Sequence, residues 1–261
     1  MSPQPSAASR SLTIAGTEVA RIGLGTNRLS STPETHAFLR QAVEAGVGLI
    51  DTAHGYTGGE SERAIGEALS PEPDALVVAT KGGYSGAGSI EAIQAQIEQS
   101  LESLRTDTID LYYLHRVDPE TPLEESLGAI AEYREAGKIK EIGVSSVDVE
   151  QIEVARAVAP VAAVQNHYNV AERSSDEVVD YCEENGIVFV PYYPLKGHAP
   201  PALAEVAEGH DASQEQIALA WLLRRSPVML PIPGTLSIEH LRENLGALEI
   251  ELTDDEFDAL A

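Results

Sequence analysis

The sequence has few of the features that mark a secreted or membrane protein. Cys182 is the single cysteine among 261 residues, so no disulfide can form within the chain, and we expect a reducing, cytoplasmic location. No apolar run is long enough to span a bilayer, so we expect no membrane association. The polar, Pro/Ser-rich residues 1–10 lack the apolar core of a secretory signal. We interpret them as a disordered tail that precedes one domain over residues 11–261.

Basic residues are also scarce. The chain has 17 Lys and Arg against 42 Asp and Glu, which gives a formal net charge of −25. A chain this acidic repels a phosphate backbone, so we expect no nucleic-acid partner. Two explanations of the acidity stay open: a salt-rich cytoplasm in which ions screen the repulsion, and an ordinary acidic surface.

Apolar, β-branched runs alternate with helical patterns from about residue 20 to the end of the chain. Eight runs are candidate strands: 21–25, 47–51, 75–80, 109–114, 141–145, 161–165, 187–192 and 228–233. Continuous apolar runs are typical of parallel strands that are buried on both faces. Eight such strands with intervening helices predict an α/β fold, a (β/α)8 TIM barrel. Residues 11–21 predict a β-hairpin that closes the bottom of this barrel.

A doubly wound open sheet is the alternative fold. Such a sheet normally carries a glycine-rich fingerprint directly after its first strand. The sequence has no such fingerprint after residues 21–25, which favours the barrel.

Polar side chains follow nearly every predicted strand, where barrel enzymes build their active sites. Taken singly, Asp51, Lys81 and His115 have ordinary explanations as a helix cap, an ion-pair partner and a partly buried histidine. They follow neighbouring strands, however, and Tyr56 lies one short loop beyond Asp51. Their combination predicts a shared site.

Proton transfer gives these residue types a reason to lie together. A tyrosine with a pKa of about 10 is a poor proton donor or acceptor at neutral pH. A nearby ammonium group stabilises the phenolate and lowers that pKa, and a buried ammonium group needs a carboxylate partner. We therefore expect Asp51 to hold Lys81, and Lys81 to tune Tyr56 as a proton donor. His115 would help to orient a carbonyl oxygen near the phenol.

These residues lie in segments that resemble the aldo-keto reductase family, in order and over nearly the whole chain beyond residue 10. The matching segments are GLIDTAHGYTGGESERAIGEAL (48–69), VVATKGG (77–83), DTIDLYYLHRVDP (107–119), GKIKEIGVSS (137–146), VAAVQNHYN (161–169), VPYYPL (190–195) and LPIPGTLSIEHLRENL (230–245). The resemblance implies an NAD(P)H-dependent oxidoreductase that reduces aldehydes or ketones to alcohols. Hydride would come from the nicotinamide, and the proton from Tyr56 within a catalytic tetrad completed by Asp51, Lys81 and His115.

The resemblance also implies NADP(H) as the cofactor, with NAD(H) as an alternative, and a chain that is a monomer or a weak oligomer. In the family pattern Ser145 and Gln165 bind the carboxamide and Tyr192 stacks on the nicotinamide. The implied cofactor-binding residues are Gly25, Thr26, Asp51, Ser145, Ser146, Gln165, Tyr192, Pro194, Leu195, Pro233, Gly234, Thr235, His240, Glu243 and Asn244.

Three positions depart from the family pattern. Ser146 stands where the family commonly has asparagine, Gly234 where many members have a lysine that holds the 2′-phosphate, and His240 where many have arginine. The resemblance therefore predicts a preference for NADP that is weaker than in members with the lysine.

His54, Tyr84 and Arg116 lie just beyond strand ends and could either line a substrate pocket or be exposed loop residues. His167 and His198 have no cysteine or carboxylate at ligand spacing, so we expect no metal site.

Two other functions remain open at the level of sequence. One is a cofactor-binding regulatory module with little turnover. The other is a barrel lyase or aldolase in which Lys81 forms a Schiff base.

Overall fold

Parallel strands at the centre of the structure follow one another in chain order. The computed structural model describes residues 9–197 and 200–260, so most of the predicted tail and His198 lie outside the described residues. The strands in the described part are β1 (Ser11–Ile14), β2 (Thr17–Ala20), β3 (Leu24–Gly25), β4 (Leu49–Asp51), β5 (Val77–Gly82), β6 (Ile109–Leu114), β7 (Ile139–Ser145), β8 (Val161–Gln165) and β9 (Val188–Phe189). Strands β3 to β9 form one parallel sheet in that order.

Helices connect the strands and cover the outer face of the sheet. They are α1 (Pro33–Glu44), α2 (Glu60–Leu69), α3 (Ile90–Leu104), α4 (Leu123–Glu135), α5 (Val149–Val158), α6 (Asp176–Asn185), α7 (Ala202–Gly209), α8 (Gln214–Arg225), α9 (Ile238–Gly246) and α10 (Asp254–Ala259). Local sequence sets several of their starts. Thr32 caps α1 ahead of Pro33, and Ser213 and Gln216 form the capping box of α8.

The last predicted strand, 228–233, closes the ring without forming a regular strand. The backbone amides of Gly23 and Gly25 donate to the carbonyl oxygens of Pro231 and Pro233 at 3.0 and 3.3 Å. On its other side an isolated parallel bridge joins this segment to β9. Proline has no N–H group, so Pro231 and Pro233 cannot donate to a ladder, and the strand is interrupted there. The (β/α)8 architecture is confirmed, with this irregular eighth segment.

The N-terminal hairpin β1–β2 is also confirmed. Ile14 and Val19 are buried in the same apolar cluster as Leu49 at the start of β4. Contact with the barrel is close at Gly48, where a Cβ would lie 2.8 Å from the Cβ of Val19. The hairpin therefore packs on the end of the barrel at which the strands begin, and leaves the other end free for a site.

Most of the remaining core lies between the sheet and the helices. Trp221 on α8 is fully buried there, with its ring stacked on those of Tyr168 and Phe257. Across the described residues, no helix combines the length and apolar character needed to cross a membrane.

Candidate active site

A cleft of about 980 Å³ opens at the carboxyl ends of the barrel strands. The structure brings most of the predicted site residues to its wall: Gly25, Thr26, Asp51, Tyr56, Tyr84, His115, Arg116, Ser145, Ser146, Gln165, Tyr192, Pro194, Leu195, Pro233, Gly234 and Thr235. Residues far apart in sequence converge here because parallel strands present their carboxyl ends at one face of a barrel.

Lys81 lies beneath the cleft with no solvent exposure. Its ammonium group donates to Asp51 Oδ1 at 2.6 Å, to the Thr52 carbonyl oxygen at 2.7 Å and to the Tyr56 hydroxyl at 3.3 Å. These contacts use all three of its N–H donors. Burial lowers the pKa of Lys81. The charge of Asp51 and the contact with Tyr56 together raise it by more than burial lowers it, so the net pKa shift is upward. Lys81 is therefore a buried cation held in place by its partners.

Asp51, the last residue of β4, is held by two side chains. Its Oδ1 accepts from Lys81, and its Oδ2 accepts from Gln165 Nε2 at 2.7 Å. Gln165 ends β8, which lies across the barrel from β4. The family resemblance predicts only that Gln165 binds the cofactor. Its contact with Asp51 was not predicted.

Tyr56 begins a short 3-10 turn, Tyr56–Gly59, directly after the β4 loop. Burial raises the pKa of Tyr56 above its ordinary value, and the ammonium group of Lys81 offsets only part of this rise. Lys81 therefore acts on this pKa in the predicted direction, but burial outweighs its charge, so the net shift is upward. The phenol is protonated at neutral pH and has a proton to donate.

His115 follows β6 and stands between two tyrosines. Its ring lies edge-on to Tyr56 at a centroid distance of 5.8 Å, and 4.9 Å from the ring of Tyr84. Burial, followed by the positive charges of Lys81 and Arg116, lowers the pKa of His115 to about 3. The imidazole is therefore neutral at neutral pH and can donate through one ring nitrogen.

Tyr192 forms part of the opposite wall. The ring of His167 stacks on it at 5.4 Å with 9° between the planes, and its hydroxyl lies 3.4 Å from the Ser146 hydroxyl. From sequence, His167 was excluded as a metal ligand and was given no other role. In the structure it supports the aromatic ring that faces the cleft. Among residues 9–197 and 200–260, no group of three His, Cys, Asp or Glu side chains could hold a metal ion.

The loop that follows the irregular eighth segment leads into α9. The Thr235 hydroxyl accepts from the Ser237 amide at 3.1 Å, and Ser237 in turn caps α9 by accepting from the His240 amide. His240, Glu243 and Asn244 lie on this helix and do not line the cleft.

His54 is also absent from the wall of the cleft. Its Nε2 lies 2.7 Å from Gln99 Oε1 on α3, so the ring contacts the outer helix layer. Of the three residues proposed for the substrate pocket, the structure therefore brings only Tyr84 and Arg116 to the cleft.

The sequence pattern of the aldo/keto reductase family matches residues 21–261. The chain belongs to this family. It is 35% identical to pyridoxine 4-dehydrogenase from Escherichia coli (strain K12), over 95% of this chain and 96% of that protein.

Solved structures of aldo-keto reductases have the same fold. The chain is similar to a thermostable aldo-keto reductase crystallised with the inhibitor epalrestat, with a TM-score of 0.86, 32% identity and coverage of 96% and 98% of the two chains. It is also similar to an aldo-keto reductase from Klebsiella pneumoniae crystallised with NADPH, with a TM-score of 0.85, 29% identity and coverage of 93% and 90%. As a member of this family, the protein is an oxidoreductase.

Proposed function

We propose that the protein reduces aldehydes or ketones to alcohols with NADP(H) as its cofactor. One observation carries the proposal: a protonated phenol, Tyr56, faces the cleft directly above a buried ammonium group that is itself held by a carboxylate. A module that only binds cofactor has no need of Lys81 beneath Tyr56, so this arrangement favours catalysis over the regulatory alternative.

The cleft fits a dinucleotide on several grounds. Its volume of about 980 Å³ is at the upper end for small-molecule sites. Tyr192 offers an aromatic face, and the start of α9 beyond Thr235 can attract a phosphate group. The related Klebsiella pneumoniae enzyme was crystallised with NADPH.

The protein's own residues supply the proton and the orientation. When bound, the nicotinamide supplies hydride for the carbonyl carbon. Tyr56 donates its phenolic proton to the carbonyl oxygen. The Lys81 ammonium group stabilises the phenolate that remains, because it already lies within hydrogen-bonding distance of the oxygen.

Asp51 and His115 complete this arrangement. Asp51 keeps Lys81 charged while the proton moves, because a buried ammonium group without a counter-ion would lose its own proton. His115, as a neutral imidazole, can donate a hydrogen bond that positions the carbonyl oxygen beside the Tyr56 hydroxyl.

A Schiff-base mechanism at Lys81 fits the structure poorly. An amine that attacks a carbonyl must be neutral and accessible, whereas Lys81 is fully buried and all its N–H donors are engaged. Borohydride added with an aldehyde should therefore trap no adduct on Lys81. A covalent adduct on this residue would support the lyase or aldolase alternative.

The test is a panel of carbonyl compounds that includes sugar aldehydes, methylglyoxal and pyridoxal. Pyridoxal is included because a relative is pyridoxine 4-dehydrogenase. Loss of NADPH and NADH absorbance is followed with each compound. We expect oxidation of NADPH that depends on the carbonyl compound. Tight NADPH binding with no turnover on any member would instead support the regulatory alternative.

A further inference from the structure

The charge on the wall of the cleft is opposite to that of the protein as a whole. Acidic residues outnumber basic ones by 42 to 17 in the chain. In the described part of the chain, however, Asp51 is the only carboxylate that lines the cleft, against three basic side chains, Arg28, Arg116 and Lys196. Asp51 is already neutralised by Lys81. The open part of the cleft is therefore a locally positive site on an acidic protein, which attracts anions.

Two of these cations lie with the proposed cofactor residues. Arg28 lies two residues after Thr26, and Lys196 directly follows Leu195, so both are near segments assigned to the cofactor. The phosphates of a dinucleotide account for positive charge there. Arg116 lies elsewhere: it follows β6, the fourth strand of the ring, whereas the 233–235 loop follows the eighth segment across the barrel.

Arg116 stands next to the residues proposed to hold the carbonyl group. It directly follows His115, and its guanidinium carbon lies 5.8 Å from the ring centroid of Tyr84. The Tyr84 ring contacts that of His115, which in turn contacts Tyr56. These successive contacts place a cation on the substrate side of the cleft, near the proton donor.

Arg116 has no carboxylate partner among the described residues. The nearest acidic residue in sequence, Asp118, is engaged elsewhere. Its carboxylate accepts from the amides of Gly88 and Glu120 at 3.0 and 3.1 Å, and from the Thr121 hydroxyl at 3.2 Å. Asp118 is also buried, whereas Arg116 is exposed.

Asp118 contributes to this site in another way. Its bond to Gly88 ties the loop that carries Tyr84 to the loop that carries Arg116, and the Ser126 hydroxyl fixes the same loop by donating to the Gly88 carbonyl oxygen at 2.6 Å. The guanidinium group and the aromatic ring are thus presented by two loops that are joined before any substrate binds. Such preorganisation lowers the entropic cost of binding.

We propose that Arg116 is a specificity-determining residue that binds an anionic group of the carbonyl substrate, a carboxylate or a phosphate. The inference rests on the proposed function and names its substrate class: aldehydes or ketones that carry such a group. A guanidinium group suits both anions because its planar N–H donors can bind two oxygens at once.

The experiment compares matched substrates at saturating NADPH. Para-carboxybenzaldehyde is paired with methyl para-formylbenzoate, and para-formylphenyl phosphate with para-methoxybenzaldehyde. The measured quantity is the ratio of kcat/KM for the anionic member to that for the neutral member. Comparing this ratio between variants cancels the intrinsic reactivity of each aldehyde. The variants are Arg116→Gln, Arg116→Lys and, as a charge-matched control, Lys138→Gln, which alters an exposed residue at the opposite end of the barrel.

We expect the ratio to fall about tenfold in Arg116→Gln, the low end for a hydrogen bond to a charged group because Arg116 is exposed. Arg116→Lys should restore part of it, since lysine keeps the charge without the planar donors. Lys138→Gln should leave it unchanged. A fall for one anion alone supports the proposal and identifies that anion.

Two results would overturn the inference, and they differ in what else they overturn. If Arg116→Gln keeps the wild-type ratio for both pairs while the neutral aldehydes are reduced, the anion site is wrong and the proposed function stands. If the wild-type protein reduces none of the four aldehydes or the carbonyl panel, the proposed function fails and the substrate class fails with it.

Discussion

Gln165 donates a hydrogen bond from Nε2 to Asp51 Oδ2 at 2.7 Å, across the interior of the barrel from β8 to β4. Lys81 binds the other oxygen of the same carboxylate at 2.6 Å. The proposed proton-transfer site is therefore fixed to opposite sides of the barrel, and the cation beneath Tyr56 depends on both contacts.

Removing the Gln165 amide should destabilise the protein. We expect Gln165→Met to lower the free energy of unfolding by about 1–3 kcal/mol, because one oxygen of a buried carboxylate loses its partner. Urea denaturation measures the change, with Gln99→Met as a control at an exposed glutamine. Equal stabilities of the two variants would show that this contact contributes nothing.

Replacing Lys81 should move the alkaline limb of the pH profile for carbonyl reduction to higher pH. Lys81 lowers the pKa of Tyr56 against the effect of burial, so its loss raises that pKa further, and Tyr56 keeps its proton to higher pH. Lys81→Met alone leaves a buried unpaired charge on Asp51, at a cost of about 3–5 kcal/mol. The double variant with Asp51→Asn avoids this cost. The limb should still move upward, because Lys81 has a larger effect on Tyr56 than Asp51 has.

The measurement is kcat as a function of pH for wild type and the double variant. Turnover should fall as well, since the phenolate loses its stabilising cation. If the alkaline limb lies at the same pH in both proteins, Lys81 does not lower the pKa of Tyr56.

His115 should make the folded protein sensitive to acid. Its pKa is about 3 in the folded state, below the ordinary 6.5, so the unfolded chain binds more protons between these two values. Stability therefore falls as pH drops from about 6.5 towards 3. His115→Gln removes this contribution, so its free energy of unfolding should change less than that of wild type between about pH 7 and pH 5. A steeper loss of stability in the variant than in wild type would contradict a neutral His115 imidazole in the folded protein.

His240 offers a way to strengthen selection for NADPH. It is exposed in the first turn of α9, just beyond the Ser237 cap. An arginine there would add a permanent charge with planar donors for a 2′-phosphate. We expect His240→Arg to tighten NADPH binding by about tenfold, the low end for a charged hydrogen bond, while NADH binding serves as the internal control. Equal tightening of both cofactors would place this residue away from the 2′-phosphate.

Much of the fold could be predicted because buried parallel strands leave a clear signal. The continuous apolar runs at 109–114 and 161–165 coincide with β6 and β8. The segment 228–233 has the same apolar character, but its prolines interrupt the ladder, and apolar composition does not reveal that a strand lacks donors.

The site could be predicted in outline for a similar reason. Asp51, Lys81 and His115 lie at or next to the carboxyl ends of the neighbouring strands β4, β5 and β6, which fixes their proximity. The contact between Gln165 and Asp51 spans the barrel, so no local pattern predicts it. Burial raises the pKa of Tyr56 and the charge of Lys81 lowers it. Which effect is larger depends on the three-dimensional packing, so the direction of the net shift could not be predicted from the sequence.

The central claim, that Tyr56 donates the proton during carbonyl reduction, is tested most directly by Tyr56→Phe. Single-turnover oxidation of NADPH with an aldehyde by Tyr56→Phe is compared with that by wild type and by Tyr181→Phe, a control at a partly buried tyrosine on α6 that does not line the cleft. NADPH binding is titrated separately. The account predicts a loss of about 10²–10⁴-fold in rate for Tyr56→Phe, as expected for removal of a general acid, with NADPH still bound. A Tyr56→Phe protein that oxidises NADPH at close to the wild-type rate would contradict it.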